Sequence, residues 1–117
     1  MTVPKDFSRY AHLRSTCEAA YKAAWEAAEQ GDDGGTCNLD AVLVCLPRWQ
    51  SRPLLDELER LPYLNVSAYR AHHAGAGCWI FNFRCGGQAA RRTRAQEAAT
   101  TVLIEAGYAC RTWYVID

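Results

Sequence analysis

A helical stripe about 25 residues long opens the chain, and any fold this chain adopts has to bury it. Across residues 6–30, Phe7, Tyr10, Cys17, Tyr21, Ala24 and Trp25 recur at three- and four-residue steps. Alanine is abundant in this stretch, which favours helix and lets a neighbouring element approach closely. Gly31, at the head of a glycine- and aspartate-rich turn, is a natural left-handed end. A second long helix is predicted over 88–106 and closed by Gly107, with Ala95, Ala98, Ala99, Val102 and Leu103 as its inner positions. Two helices of this length in a chain of 117 residues fit a single domain spanning 1–117.

The segments between them read as strands and one short helix. Residues 39–46 are apolar and partly β-branched, a buried strand closed by Pro47. Ser51-Arg52-Pro53 opens a helix to about residue 61, with Ser51 as N-cap and proline in the first turn. Leu54, Leu55, Leu58 and Leu61 form its apolar face, and Pro62 stops it. Residues 65–71 and 78–84 read as a strand pair joined by a loop running from His72 to Gly77. In the second of these, Trp79, Phe81 and Phe83 make the heavier face. Residues 108–116 alternate as a last strand. The order α-β-α-β-β-α-β predicts an α+β domain. Its sheet is antiparallel or mixed, with two long helices packed on one face and one short helix. The strand order stays open.

Thirteen basic residues balance thirteen acidic ones, which argues against a general nucleic-acid binder but leaves room for a local basic patch. No apolar run approaches the roughly 18 residues of a membrane span, and the first residues lack a signal-peptide core. A soluble cytoplasmic protein is the expectation. The six cysteines form no C-x-x-C pair, and without a secretion signal no disulfide framework is expected. Cys17, Cys45 and Cys110 read as small buried hydrophobes. Cys78 and Cys85 with His72 and His73 match no common zinc spacing, so neither a metal nor another cofactor is expected. No serine elbow, H-E-x-x-H motif or close carboxylate pair in apolar surroundings is present, which shifts weight from catalysis to binding.

The stretch with the most chemistry is Gly86-Gly87-Gln88-Ala89-Ala90-Arg91-Arg92-Thr93-Arg94. Helix N-termini favour acids, so arginines there cost a few tenths of a kcal/mol each, and a bound anion would offset that cost. Gly87 lets a ligand approach the backbone, Gln88 offers an amide, and Arg91, Arg92 and Arg94 offer guanidinium groups. At about 100° per residue the three arginines cannot all meet one phosphate. The competing reading has them solvated or paired with acids elsewhere. A polar turn over 32–40 is the second candidate. Asn38 would bond a base or ribose, and Asp33 or Asp40 would accept ribose hydroxyls; the alternative is a plain turn. Phe81 and Phe83 would stack on a purine, or else they are core against a long helix.

Two blocks carry a resemblance to a known family. Asp33-Gly34-Gly35-Thr36-Cys37-Asn38-Leu39-Asp40 follows a long N-terminal helix. Gly87-Gln88, then Arg91-Arg92-Thr93 and Glu97-Ala98-Ala99, open a C-terminal one. Together they resemble the first-described anti-Thoeris sponge family of phages. That resemblance implies a small α+β protein of the host cytoplasm that assembles into homo-oligomers. It implies sequestration of cyclic ADP-ribose isomers without cleavage, at a site where two subunits meet; some hexameric members also hold cyclic oligonucleotides at separate sites. On this reading arginines take the phosphates, Asn38 and the acids take the riboses, and Phe81 or Phe83 takes the adenine. The partner is then a cyclic nucleotide signal, with no membrane and no nucleic acid. The alternative is a small phage inhibitor that blocks a host protein through its surface.

Overall fold

Alternation in the strand that carries Trp79, Phe81 and Phe83 sets the two faces of the sheet, because successive side chains leave a strand on opposite sides. The structure is a computed structural model that describes residues 5–31, 40–69, 77–85 and 89–114. Its elements are α1 (Lys5–Ala28), β1 (Ala41–Cys45), α2 (Ser51–Leu58), β2 (Leu64–Ala68), β3 (Cys78–Phe83), α3 (Ala89–Glu105) and β4 (Ala109–Trp113). The four strands form one sheet in the order β2-β3-β1-β4, and every neighbouring pair is antiparallel. Thus β1 and β2 are parallel with β3 between them, and β3 and β4 are parallel with β1 between them. Two interleaved split β-α-β units result, the ferredoxin-like topology, with α1 added ahead of it. That topology hosts many unrelated activities, so function has to be argued from the site.

The register aligns Val42 with Phe81, Val44 with Trp79, Val66 with Phe81 and Leu64 with Phe83. These residues share one face and form a single hydrophobic core, with Val66 packed against its margin. The long helices complete that core with a stripe of small residues. Cys17, Ala20, Ala24 and Ala28 of α1 and Ala95, Ala99 and Leu103 of α3 are all buried. Alanine at the contact brings two helices near the short end of the usual 8–10 Å spacing. α3 lies directly on the sheet and α1 packs along α3. The two run antiparallel: Arg94, near the start of α3, reaches the last carbonyls of α1, while His12 in the first half of α1 meets Tyr108 just beyond α3.

The short helix begins one residue earlier than its sequence suggests. Its N-cap is Gln50, not Ser51, and no side chain caps it. The Gln50 N–H instead donates to the Tyr10 hydroxyl at 2.7 Å, and an Arg14–Glu57 ion pair ties α1 to α2. Gly107 closes α3 with a left-handed φ of 99°, as its position predicts. Gly77 has φ 88°, and a Cβ there would sit 3.1 Å from the Leu46 carbonyl oxygen, so conformation and space both require glycine. On the face away from the helices, Tyr69 and Trp113 stand at diagonally opposite corners of the sheet, yet their rings meet at 5.2 Å. Only a strongly twisted sheet brings such corners together. No described helix is long and apolar enough to cross a membrane.

Candidate functional site

The site forms where β3 outruns β1. Ladder pairing between them runs from Cys45–Cys78 to Val42–Phe81. The Arg84 N–H donates to the Tyr63 carbonyl, which makes Leu64–Phe83 a non-hydrogen-bonded pair on the β2 side. The N–H and C=O of Phe83 therefore point toward β1, where no strand residue pairs with them. The Gln96 side chain fills that gap. Its Oε1 accepts from the Phe83 N–H at 3.2 Å, and its Nε2 donates to the Phe83 carbonyl at 2.9 Å. A carboxamide thus mimics a peptide group and ends the ladder, and Gln96 is only 1 % exposed.

Two neighbours on α3 hold the other strand end. Arg92 Nε donates to the Asp40 carbonyl at 2.9 Å, and the Thr93 hydroxyl donates to the Asp40 carboxylate at 2.7 Å. A carboxylate beside the first turns of a helix is electrostatically favourable. Residues 92, 93 and 96 therefore fix the ends of both strands, and a cavity of about 630 Å³ opens beside them. Arg92, Ala95 and Gln96 line it from α3, Arg84 and Cys85 from beyond β3, Pro62, Tyr63 and Asn65 from around the start of β2, Tyr21 from α1, and Asn82 and Phe83 from β3 itself.

The lining is cationic. Among the described residues it carries two arginines, Arg84 and Arg92, and no carboxylate. Among the described residues neither arginine has an ion-pair partner. Burial pushes the Tyr63 phenol up to about 12 and the Cys85 thiol up to about 11, so both are neutral at neutral pH. Tyr21 and Tyr63 stack at 3.7 Å and 17°. The arrangement offers guanidinium charge for an anion, amides at Asn65 and Asn82 for polar edges, and an aromatic wall for a planar group.

Of the residues singled out from sequence, Arg92 and Phe83 line this cavity. Arg94 does not, and the structure explains its unusual position otherwise. Its Nε and Nη2 donate to the carbonyls of Ala27 and Ala28, each at 3.1 Å. Those are the last carbonyls of α1, the negative end of that helix. An arginine misplaced on its own helix is well placed on its neighbour. Arg94→Ala is expected to cost about 1–2 kcal/mol of stability, read by urea denaturation, with little change at the cavity. Arg91 sets its guanidinium 5.9 Å from the Trp25 ring, away from the cavity lining. Asp40 is 4 % exposed and engaged by Thr93 and Arg92, so it does not reach for a ribose.

Phe81 and Phe83 are 0 % and 1 % exposed, and their rings belong to the core. Phe81 offers no face to a base, because that side of β3 is the side covered by the helices, while Phe83 touches the cavity with only a sliver of its surface. Gly87, Gln88, Asn38 and Asp33 lie outside the described residues, as do His72 and His73. Sequence reasoning missed Arg84, Asn65, Asn82, Tyr21, Tyr63 and Gln96. Arg84 was visible as a cation directly after an alternating strand; the others become neighbours only through strand order. Among the described residues, no three His, Cys, Asp or Glu side chains gather where a metal ion could be held. No protein-family model, curated protein or solved structure matches the chain.

Proposed function

We propose that the protein binds a phosphate-bearing metabolite with a planar base in the cavity beside Arg92, and retains it without chemical change. The observation that carries this reading is a cavity of about 630 Å³ whose described lining has two arginines and no carboxylate, in a chain of zero net charge. That volume lies within the roughly 300–1,000 Å³ of small-molecule sites. Arg84 and Arg92 take the phosphates, Asn65 and Asn82 take the polar edges of base or ribose, and the Tyr21–Tyr63 pair supplies the wall. The described lining holds no histidine and no carboxylate, and burial keeps Cys85 and Tyr63 neutral, which favours retention over turnover.

The family resemblance narrows the ligand class to cyclic ADP-ribose isomers and the role to sequestration of an immune signal in a host cell. A sponge of that kind works through slow release. Assembly into homo-oligomers with ligand where copies meet belongs to the same reading, and light scattering with and without ligand tests it.

Thermal-shift and calorimetric titrations against cyclic ADP-ribose isomers, ADP-ribose, NAD and cyclic dinucleotides test the proposal. A melting temperature that rises and saturates for one class supports it. Mass spectrometry of ligand released by denaturation is expected to return it intact; a cleaved product would make the protein an enzyme. Arg92→Ala is expected to lower affinity about tenfold to a hundredfold, the worth of one charge-assisted bond. No stabilisation across the whole panel would remove this reading and favour inhibition through a protein–protein surface.

A further inference from the structure

The two central strands carry a pair of thiols in register at one end of the sheet. Cys45 at the end of β1 lies directly opposite Cys78 at the start of β3. The Leu46 N–H donates to the Gly77 carbonyl at 2.7 Å. That bond joins the residue after Cys45 to the residue before Cys78, which is the signature of a non-hydrogen-bonded antiparallel pair. Such pairs hold their Cα atoms about 4.5 Å apart with side chains close together, inside the roughly 4.4–6.8 Å range a disulfide spans. Both side chains leave the sheet on the face away from the helices, because their neighbours Val44 and Trp79 point into the core. Both are thiols, and a hydrogen bond links them.

The two differ in access. Cys45 is half-buried, whereas Cys78 is 5 % exposed. Burial, with the hydrogen bond to Cys78 adding to it, pushes the Cys45 thiol up to about 11 against the opposing pull of Arg111. At neutral pH the pair therefore persists as a dithiol until an oxidised partner arrives.

We propose that Cys45 and Cys78 are a modification site that forms a reversible cross-strand disulfide by exchange with a small oxidised thiol. The Cys45 thiolate attacks the low-molecular-weight disulfide RSSR. A Cys45–SR bond forms, the RS–SR bond breaks, and the first thiolate leaves to take up the proton Cys45 gave. The Cys78 thiolate then attacks the Cys45 sulfur, and the second RS⁻ leaves with the proton from Cys78. The protein loses two protons and two electrons, and one RSSR becomes two RSH. The bridge would lock β1 to β3 at the end of the sheet opposite the Arg92 cavity, and close a loop containing α2 and β2.

The test is incubation of the folded full-length chain with glutathione buffers of rising oxidised fraction, followed by alkylation and peptide mapping. A Cys37→Ser background is used, because Cys37 shares a tryptic peptide with Cys45. The expected product is two hydrogens lighter, links the peptide containing Cys45 to that containing Cys78, and reverts with dithiothreitol. Its melting temperature is expected to rise by on the order of 10 °C. Cys45→Ser and Cys78→Ser should each abolish the linked peptide and the rise. A glutathione adduct that stays on Cys45 while Cys78 remains alkylatable would overturn the proposal. So would failure of the linked peptide to form in the most oxidising buffer, a result that needs neither Cys45 nor Cys78 replaced.

Discussion

Replacing Gln96 with leucine is expected to remove about 3–4 kcal/mol of folding stability, a large share of the roughly 5–15 kcal/mol a domain has. The leucine fits the space but satisfies neither polar group of Phe83. A buried N–H and a buried C=O are then left unbonded, at about 1–3 kcal/mol each. Urea denaturation measures the loss directly, and a value below about 1 kcal/mol would show that the amide is not what ends the ladder. Gln96→Glu sharpens the test through its sign. An ionised carboxylate still accepts from the Phe83 N–H, but it turns its second oxygen toward the Phe83 carbonyl oxygen. The protonated acid donates there instead. Its folded-state pKa is therefore raised above the ordinary carboxylate value. Stability is fully present below the unfolded pKa, about 4.3, and is lost as pH climbs through the folded one. Greatest stability in acid, reversing the usual carboxylate trend, is the expected outcome; a flat or opposite profile would contradict the geometry.

Phe81→Ala is expected to cost about 3–5 kcal/mol, because it empties the centre of a core that has no way to collapse onto the missing ring. Phe81 contacts the core from the middle of β3, between Val42 and Val66 in register. The informative companion is Phe81→Leu, which keeps most of the volume and should cost about 1–1.5 kcal/mol. Ligand affinity in Phe81→Leu should match that of the parent chain. A tenfold loss of affinity with small loss of stability would put the ring against the ligand and return the purine-stacking reading.

Much of the fold was legible because periodicity is a local property. The stripe in α1, the alternation in β3 and Gly107 at the end of α3 each declare their element within a few residues. The α+β class and the sequence of elements followed from these. Boundaries slipped where capping was atypical: Ser51 looks like a cap, but Tyr10, some 40 residues away in sequence, receives the N–H that anchors the helix start. The site was legible only in part for the same reason. Arginines in the first turns of α3 announce an electrostatic need, but sequence cannot say whether a ligand or a neighbouring helix meets it. Arg94 answers to Ala27 and Ala28, while Arg92 faces the cavity. Phe81 and Phe83 alternate as a surface stack or a buried face would; which it is depends on which side the helices cover.

The pairing of α1 with α3 also governs when the molecule can finish forming. α1 finds its mate in α3, and β1, α2, β2 and β3 are made between the two. At roughly 5–20 residues per second, translation spends several seconds between them. Over that interval the alanine stripe of α1 waits for α3, so the helix pairing follows the making of three strands and is slow, as expected when the decisive contacts are distant in sequence.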